Sequence, residues 1–485
     1  MTKSTNKENK NLFPPVVSVL GHVDHGKTTL LDSIRKTNIA EREHGGITQR
    51  IGASSIEILH EGKKRRITFI DTPGHETFSK MRSRGAIASD IGLLIISSKD
   101  GIKPQTKESI NLLKDAKIPF IVVLTKADLE GGNPEKIKQQ LLKEEVVLEG
   151  FGGDTPVIEV SAKTGKNIKE LLELILLVYE VHAKLDSKLS ENGKFEGIVI
   201  ESKLDQKSGP KATIVIKNGK VTIREELVCE DVKAKMKTII NDKGDHLESA
   251  TIGDAVEILG FEKVPNVGAV VYKKSDVSLK VKEQISPVVV GTASGLEEST
   301  LSVILRADTQ GSLEAIVNAI PEKIFVVSKK TGEISPADVL LAKSTGSIIL
   351  GFNIKVGVDV LHFARTEKVL LKNYTIIYEL LDELKEALEG KILSMQEEVF
   401  GKAKVLASFP YEKTKVLGVA VLEGRVARGD KVRIMRKDDI IGESFVSSVR
   451  QGKNSISKME KGQEAGLILS PYIDFTIGDV LICHS

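Results

Sequence analysis

The sequence predicts a multidomain protein of the α/β and β classes, and three observations lead to this prediction. Residues 14–184 alternate apolar runs with helical stretches, which is typical of a mostly parallel sheet with helices on both faces. Residues 192–275 contain short β-type runs separated by turns such as Asn218-Gly219, as in a small β-barrel. Similar turns return in residues 401–485, so we expect a second β-barrel there.

The two β-rich segments are predicted to be barrels of one type. Residues 218–221 (Asn-Gly-Lys-Val) have a counterpart in residues 423–426 (Glu-Gly-Arg-Val). Residues 251–254 (Thr-Ile-Gly-Asp) recur unchanged at residues 476–479, and each copy lies near the end of its segment. Chance similarity of turn residues is the alternative interpretation.

Between the barrels we expect an α/β/α unit at residues 296–375 and a long linker helix at residues 376–400. Residues 308–312 (Asp-Thr-Gln-Gly-Ser) are typical of a helix N-cap turn, so we assign them no catalytic role. The helix is amphipathic and has no second long helix to pair with, which favours a spacer arm over a bundle helix. Residues 1–13 are expected to form a disordered basic tail.

Composition limits the class of protein. The 485 residues are enough for roughly three to five domains. The formal net charge of +3 is too small to indicate a nucleic-acid binder by itself. Cys229 and Cys483 are far apart, so neither a disulfide framework nor a zinc site is predicted, as in a reducing compartment. No apolar run approaches the roughly 18–20 residues that span a bilayer, so no membrane partner is expected.

Residues 21–28 (Gly-His-Val-Asp-His-Gly-Lys-Thr) fit the phosphate-loop template G-x-x-x-x-G-K-[ST], between an apolar strand and a helix. Backbone N–H groups and the helix N-terminus would cradle phosphates. We expect Lys27 to reach the β- and γ-phosphates and Thr28 to bind Mg²⁺. A glycine turn that binds nothing is the alternative, but the flanking strand and helix disfavour it. The predicted nucleotide-binding residues here are Gly21, His22, Val23, Asp24, His25, Gly26, Lys27, Thr28 and Thr29.

Two further segments complete the phosphate end of the predicted site. Thr48 follows residues 45–47 (Gly-Gly-Ile) and would add a second hydroxyl to Mg²⁺ when a γ-phosphate is present, although alone the segment is an ordinary glycine turn. Asp71 follows a strand and would hold Mg²⁺ through a water. The Gly74 N–H would contact the γ-phosphate, and His75 would orient the attacking water as the catalytic residue. The alternative is a proline turn with a solvated histidine.

The base end is predicted from two segments that each follow a strand. Asp128 can accept hydrogen bonds from guanine N1–H and N2–H₂, which adenine does not offer in that arrangement. Thr125 stands where Asn is usual, so we expect weaker bracing of the loop without loss of guanine choice. The Ala162 N–H would meet guanine O6. The site therefore predicts GTP or GDP with Mg²⁺, and its remaining base contacts are Thr125, Lys126, Ser161 and Lys163.

In these motifs the chain closely resembles bacterial translation initiation factor 2. Residues 21–28, 45–53 and 71–78 carry the resemblance in the first domain, and residues 306–316 and 351–353 carry it in the α/β unit. The match spans about residues 14–485 and is specific, because elongation factor Tu lacks the α/β unit and the long helix. The family's large N-terminal region is missing from this sequence, so we expect no ribosome anchoring from it.

The resemblance implies a monomeric, ribosome-stimulated P-loop GTPase in the cytoplasm, or in an organelle stroma. The GTP form would bind the small ribosomal subunit, steady initiator tRNA through the last barrel and promote joining of the large subunit. Ribosomal RNA would position His75, and Asp24 matches a position that can help hold a monovalent cation. Two alternatives stay open: a nucleotide-gated ribosome- or RNA-binding module with negligible turnover, and a specialised tRNA-delivering elongation-type GTPase.

The last barrel carries two further expectations. Residues 401–485 contain 14 Lys/Arg and 10 Asp/Glu, and a cluster of basic residues there can meet a nucleic-acid backbone, with a solvated surface as the alternative. By resemblance, Val419, Ala465 and Gln451 replace the two cysteines and the Arg of the family's formyl-methionyl pocket, while Glu464 is retained. We expect weaker discrimination for the formyl group. The basic cluster comprises Arg425, Arg428, Lys431, Arg433, Arg436 and Lys437.

Overall fold

The computed structural model describes residues 13–37, 48–183, 189–276, 301–388, 399–411, 414–436, 439–451, 454–471, 473 and 475–484. They fall into two compact units, one up to Leu393 and one from Ser394 onward. Of the predicted tail, only Phe13 is among the described residues. No helix within the described ranges is both long enough and apolar enough to cross a membrane.

The first unit begins with a six-stranded sheet in the order β2-β3-β1-β4-β5-β6, in which only β2 runs antiparallel to its neighbour. Separate apolar clusters pack on its two faces, as expected for a sheet covered by helices on both sides. The strands are β1 (Val16–Gly21), β2 (Gly52–His60), β3 (Lys63–Asp71), β4 (Ile91–Ser97), β5 (Phe120–Thr125) and β6 (Val157–Glu159), and the helices are α1 (Lys27–Arg35), α2 (Ser79–Ile87), α3 (Pro104–Ala116), α4 (Pro134–Lys143) and α5 (Ile168–Ala183).

The carboxyl ends of these strands position the predicted motifs. β1 ends at Gly21, β3 at Asp71 and β5 at Thr125, so each strand delivers the first residue of one motif. Since β1, β3, β4, β5 and β6 are parallel, their carboxyl ends lie at one edge of the sheet. In open α/β sheets this edge is where ligands bind.

A closed antiparallel barrel follows in the first unit. Its strands form the ring β10-β15-β7-β8-β14-β11, which the pairing of β10 with β11 closes. Closure leaves the ring without free edges. The strands are β7 (Glu196–Asp205), β8 (Gly209–Asn218), β9 (Lys220–Thr222), β10 (Glu226–Cys229), β11 (Val232–Ile240), β12 (His246–Leu247), β13 (Ser249–Thr251), β14 (Ala255–Phe261) and β15 (Val270–Lys273).

The α/β unit completes the described part of the first unit. Its four strands are parallel, in the order β17-β16-β18-β19. The strands are β16 (Leu301–Ala307), β17 (Ile324–Thr331), β18 (Ile348–Phe352) and β19 (Leu371–Tyr374), and the helices are α6 (Gln310–Ala319), α7 (Pro336–Thr345), α8 (Val358–Thr366) and α9 (Ile377–Leu388).

The second compact unit is an antiparallel barrel. Its ring is β20-β27-β22-β23-β26-β21, closed by the pairing of β20 with β21. The strands are β20 (Val399–Tyr411), β21 (Thr414–Ala427), β22 (Lys431–Arg436), β23 (Asp439–Gln451), β24 (Asn454–Ile456), β25 (Lys458–Glu460), β26 (Glu464–Ser470) and β27 (Val480–His484).

The two barrels have the same topology, which confirms that they are of one type. Numbered along the chain, the six ring strands of each barrel are connected in the order 1-2-5-4-3-6. The first sequence echo falls at comparable places, because Gly219 and Gly424 both adopt positive φ. Gly219 directly follows ring strand two of the first barrel, and Gly424 lies three residues before the end of ring strand two of the second. In both barrels the next three residues pair with a short strand outside the ring.

The second echo reflects a shared turn rather than a shared barrel position. Asp254 Oδ2 accepts from Thr251 N at 2.7 Å, and Asp479 Oδ2 accepts from Thr476 N at 2.8 Å. However, the first turn precedes ring strand five and the second precedes ring strand six. The two copies therefore share a local turn but not a position in the ring, and the common strand order is what shows that the barrels are of one type.

Only part of the predicted linker helix, residues 376–400, is among the described residues. Helix α9 covers its first part, residues 389–398 lie outside the described residues, and Val399 and Phe400 belong to β20 instead of the helix. Ile377, Leu380 and Leu384 of α9 are buried in a cluster shared with the α/β sheet. The described part of the helix is thus held by its apolar face and does not project as a spacer.

Three parts of the first unit meet at the first turn of α6. The Gly311 N–H donates to Glu201 Oε1 of the barrel at 3.3 Å. A Cβ at Gly311 would lie 2.6 Å from Met81 Cε of α2, so a larger residue there would require the end of the Met81 side chain to move. Burial raises the pKa of Glu201 to about 7, and the nearby Asp308 carboxylate adds to the effect.

Glu201→Gln is expected to reduce the pH dependence of stability. The folded pKa of Glu201 is raised from 4.5 to about 7, so its contribution to stability is full below pH 4.5 and is lost as the pH rises to about 7. At pH 8 the variant should be more stable than wild type by about 1–3 kcal/mol, and near pH 4.5 this gain should vanish. Urea unfolding at both pH values measures the gap, and a gap independent of pH would contradict the assignment.

Candidate functional site

The phosphate-binding loop joins β1 to α1, and two glycines shape its ends. Gly21 has φ 149°, and a Cβ there would lie 2.4 Å from the carbonyl oxygen of Ile95. Gly26 has φ 81° and lies at the N-cap of α1. Lys27, only 3% exposed, donates from Nζ to the carbonyl oxygens of Gly21 at 3.0 Å and His22 at 2.6 Å. Burial lowers the pKa of Lys27 to about 8.

The three predicted metal ligands are oxygen donors at the start of α1, in the segment before β2 and at the end of β3. Thr28 Oγ1 and Thr48 Oγ1 lie 2.8 Å apart, although Gly45–Gly46–Ile47 lie outside the described residues. Asp71 is 5% exposed, and its Oδ1 has no hydrogen-bond partner among the described residues. Burial raises its pKa to about 6. Thr48 and Asp71 line one cavity.

The loop after β3 lies directly against the phosphate-binding lysine. A Cβ at Gly74 would fall 2.2 Å from Lys27 Nζ and 2.9 Å from Val23 Cα. His75 Nδ1 accepts from the Thr77 N–H at 3.3 Å, so in the neutral ring the proton is on Nε2. Burial lowers the pKa of His75, and the Arg82 guanidinium adds to this effect, so the imidazole is neutral at pH 7.

Arg82, on α2, anchors the same loop and was not found from the sequence. Its fully buried side chain donates to the carbonyl oxygens of Pro73 at 2.9 Å, of His75, and of Glu76 at 3.5 Å. The guanidinium also bonds both carboxylate oxygens of Glu108 on α3, at 2.8 and 2.6 Å. In the sequence, the only sign of this role is that Arg82 directly follows the apolar residue Met81, which the structure buries.

At the base end, the structure brings the two predicted segments together. Ser161 Oγ donates to Asp128 Oδ1 at 2.6 Å, and this hydrogen bond holds the pKa of Asp128 below its usual range. Thr125 is buried, and its hydroxyl donates to the carbonyl oxygen of His25 at 2.6 Å. The base segment is thereby joined to the phosphate loop. The weaker bracing expected from Thr125 stays a prediction.

The remaining predicted residues differ in what their side chains do. His25 is fully buried with Nδ1 3.2 Å from the Ile95 carbonyl oxygen, and burial lowers its pKa to about 4, so its side chain is structural. Lys126 bonds Asp100 at 3.2 Å. The others lie half-buried or exposed around the loop and base segments: His22, Val23, Asp24, Thr29, Ala162 and Lys163.

In the second unit, the residues compared with the formyl-methionyl pocket are not all at a surface. Val419 is 1% exposed in the barrel core and pairs in register with the half-buried Ala465. Glu464 is exposed at the start of β26. The side chain of Gln451 and the whole of Lys437 lie outside the described part of the chain. The lower formyl selectivity stays a prediction.

The fold and this site define a translational GTPase. A family model of the elongation factor Tu GTP binding domain matches residues 15–180, one of elongation factor G domain 2 matches residues 194–274, and one of translation-initiation factor 2 matches residues 273–385. The α/β sheet with helices followed by two β-barrels confirms the predicted fold class.

The chain belongs to the translation initiation factor IF-2 family. It is 38% identical to translation initiation factor IF-2 of Thermosipho africanus, over 99% of this chain and 72% of that protein. The factor of Aquifex aeolicus is also 38% identical, over 97% of this chain. This chain spans 61% of the Aquifex aeolicus protein and 54% of the Rhizobium etli factor. The GDP-bound aIF5B of Aeropyrum pernix is similar at 26% identity and TM-score 0.43, over 97% of this chain and 92% of that one.

Proposed function

We propose that this chain is a cytoplasmic, monomeric translation initiation factor that hydrolyses GTP when stimulated by the ribosome. It steadies initiator tRNA on the small subunit through its second barrel, promotes subunit joining and leaves in the GDP form. The observation that carries this proposal is the convergence of Lys27, Thr28, Thr48 and Asp71 at one end of the site with Asp128 at the other. Membership of the IF-2 family supports the ribosomal role.

The site fits Mg²⁺ with a nucleoside triphosphate. The buried Asp71 Oδ1, which has no hydrogen-bond partner in the described residues, and the two adjacent threonine hydroxyls supply the hard oxygen donors that Mg²⁺ prefers. When bound, Mg²⁺ would neutralise charge developing on the β- and γ-phosphate oxygens. Thr28, Thr48 and Asp71 would hold it.

The chain's own residues carry the rest of the mechanism. Lys27 leaves its two carbonyl acceptors to pair with phosphate oxygens, and the loop N–H groups bind the remaining oxygens. Asp128, held by Ser161, reads guanine N1–H and N2–H₂. Neutral His75 orients the attacking water by hydrogen bonding. Because the pKa of His75 is lowered, its imidazole is uncharged at pH 7 and adds no second positive charge beside Lys27.

His75→Ala is expected to lower the ribosome-stimulated kcat for GTP hydrolysis by about 100-fold, because positioning and polarising the attacking water is lost. GTP affinity should stay near wild type, since the His75 side chain makes hydrogen bonds only with Thr77 among the described residues. Phosphate release is measured with purified protein, with and without assembled ribosomes. His182→Ala, at an exposed position of α5, is the matched control.

Two results would contradict the proposal. Wild-type protein that shows no ribosome-stimulated phosphate release would be a nucleotide-gated binding module instead. Stimulation that persists in His75→Ala would remove His75 from the mechanism while leaving the GTPase assignment intact. A tRNA pull-down with sequencing tests the partner separately, and capture of elongator rather than initiator tRNA would contradict the initiation role.

A further inference from the structure

The imidazole of His75 contacts two other residues, and one of them belongs to a distant part of the chain. Thr77 contacts Nδ1 from within the same loop, with its Oγ1 at 3.0 Å. The second contact is with the ring of Tyr378, in the first turn of α9. The two ring centroids are 4.2 Å apart, and the planes cross at 79°, which is an edge-to-face contact.

The first turn of α9 is itself firmly placed. Gln49 Nε2 donates to the Thr375 carbonyl oxygen at 2.9 Å, and the Ile377 N–H donates to Gln49 Oε1 at 3.1 Å. Gln49 is 8% exposed, and Ile377 and Leu380 are fully buried. Tyr378 is therefore presented from a rigid support, which is what a group that orients another side chain requires.

Both loops at the phosphate end thus attach to one helical turn. Gln49 directly follows Thr48, and His75 follows Gly74, which adjoins Lys27. Arg50 additionally pairs with Asp308 of the α/β unit. The α/β unit is consequently built against the groups on which hydrolysis depends, although it contributes no side chain to the predicted nucleotide contacts.

We propose that Tyr378 is a positioning residue for His75, holding its imidazole in one orientation for GTP hydrolysis. The inference rests on the proposed function. Thr77 fixes Nδ1, but a single hydrogen-bonded edge leaves the ring free to swing about that contact. The Tyr378 ring blocks this swing and excludes water from one side of the imidazole. The phenol hydroxyl has no part in this role.

The test compares Tyr378→Leu, which removes the ring and keeps apolar volume, with Tyr378→Phe, which keeps the ring. Tyr378→Leu should lower the ribosome-stimulated kcat at least tenfold, with KM for ribosomes and affinity for GDP unchanged, because only the orientation of His75 is lost. Tyr378→Phe should recover wild-type kcat. Glu379→Ala, exposed on the same turn, is the matched control and should behave as wild type.

A second readout does not depend on turnover. The His75 ring resonances, measured by NMR in the GDP-bound full chain, should shift in Tyr378→Leu and stay in place in Tyr378→Phe. Wild-type kcat in Tyr378→Leu, equal loss in both variants, or unmoved His75 resonances would each overturn the inference. If Tyr378→Leu fails to fold, Tyr378→Met replaces it with the same expectations. An inactive wild type would instead defeat the proposed function.

Discussion

Asp128→Asn is expected to weaken GTP binding by roughly 10³-fold, because the amide presents a donor where guanine also presents donors. Ser161 should still bond the Oδ1 of the new side chain, so the loop keeps its shape. The loss is then confined to base recognition. Nucleotide affinities are measured by titration with GTP and GDP at millimolar magnesium.

The same variant is also expected to gain affinity for a xanthine nucleotide. Xanthine carries a carbonyl oxygen where guanine has N2–H₂, so the Asp128→Asn variant should bind XTP better than GTP, reversing the wild-type order. Asp115→Asn, an exposed position on α3, is the control for removal of a charge. Unchanged GTP affinity in Asp128→Asn would show that the base is recognised elsewhere.

Arg82→Ala is expected to destabilise the first unit by about 3 kcal/mol, because it leaves Glu108 and three loop carbonyls without their donor. Glu108 keeps a side-chain exposure of 26%, which moderates the penalty. The loop that carries His75 should also lose its anchor. Urea unfolding and ribosome-stimulated hydrolysis should both report the change.

Two variants separate charge from geometry at this position. Arg82→Lys keeps the charge but cannot donate to several carbonyls and a carboxylate at once, so it should recover little. The double variant Arg82→Ala with Glu108→Ala should regain part of the stability, because no carboxylate is left unpaired. Lys80→Ala, an exposed position on the same helix, serves as the control. Equal stability of Arg82→Ala and Lys80→Ala would contradict the anchoring role.

The sequence was sufficient for the parts of the site that are local in the chain. Gly21, Asp71 and Thr125 each end a buried strand. A strand followed by a glycine-containing or acidic loop can be recognised in the sequence without knowledge of any distant contact. The parallel arrangement then brings those ends to one edge. Fold class and the position of the site follow from the same pattern.

The features of the site that could not be predicted from the sequence depend on contacts between distant segments. The contacts of Arg82 with Glu108 and of Tyr378 with His75 join segments that no periodicity connects. The repeated Thr-Ile-Gly-Asp turns lie at different places in the two rings, because a turn sequence specifies local hydrogen bonds and not a place in a barrel. The burial of the apolar stripe of α9 against the α/β sheet is another distant contact that the sequence did not indicate, and the spacer arm stays a prediction for the rest of the helix.

The contact between Gly74 and Lys27 limits how this protein can evolve. Any larger residue at position 74 would collide with an ammonium group and with the backbone of Val23, and backbone cannot be displaced by a change of rotamer. A lineage could therefore not alter this position in one mutational step and keep the lysine in place. Replacing the lysine alone would not open position 74 to a larger residue, because the backbone of Val23 would still obstruct it.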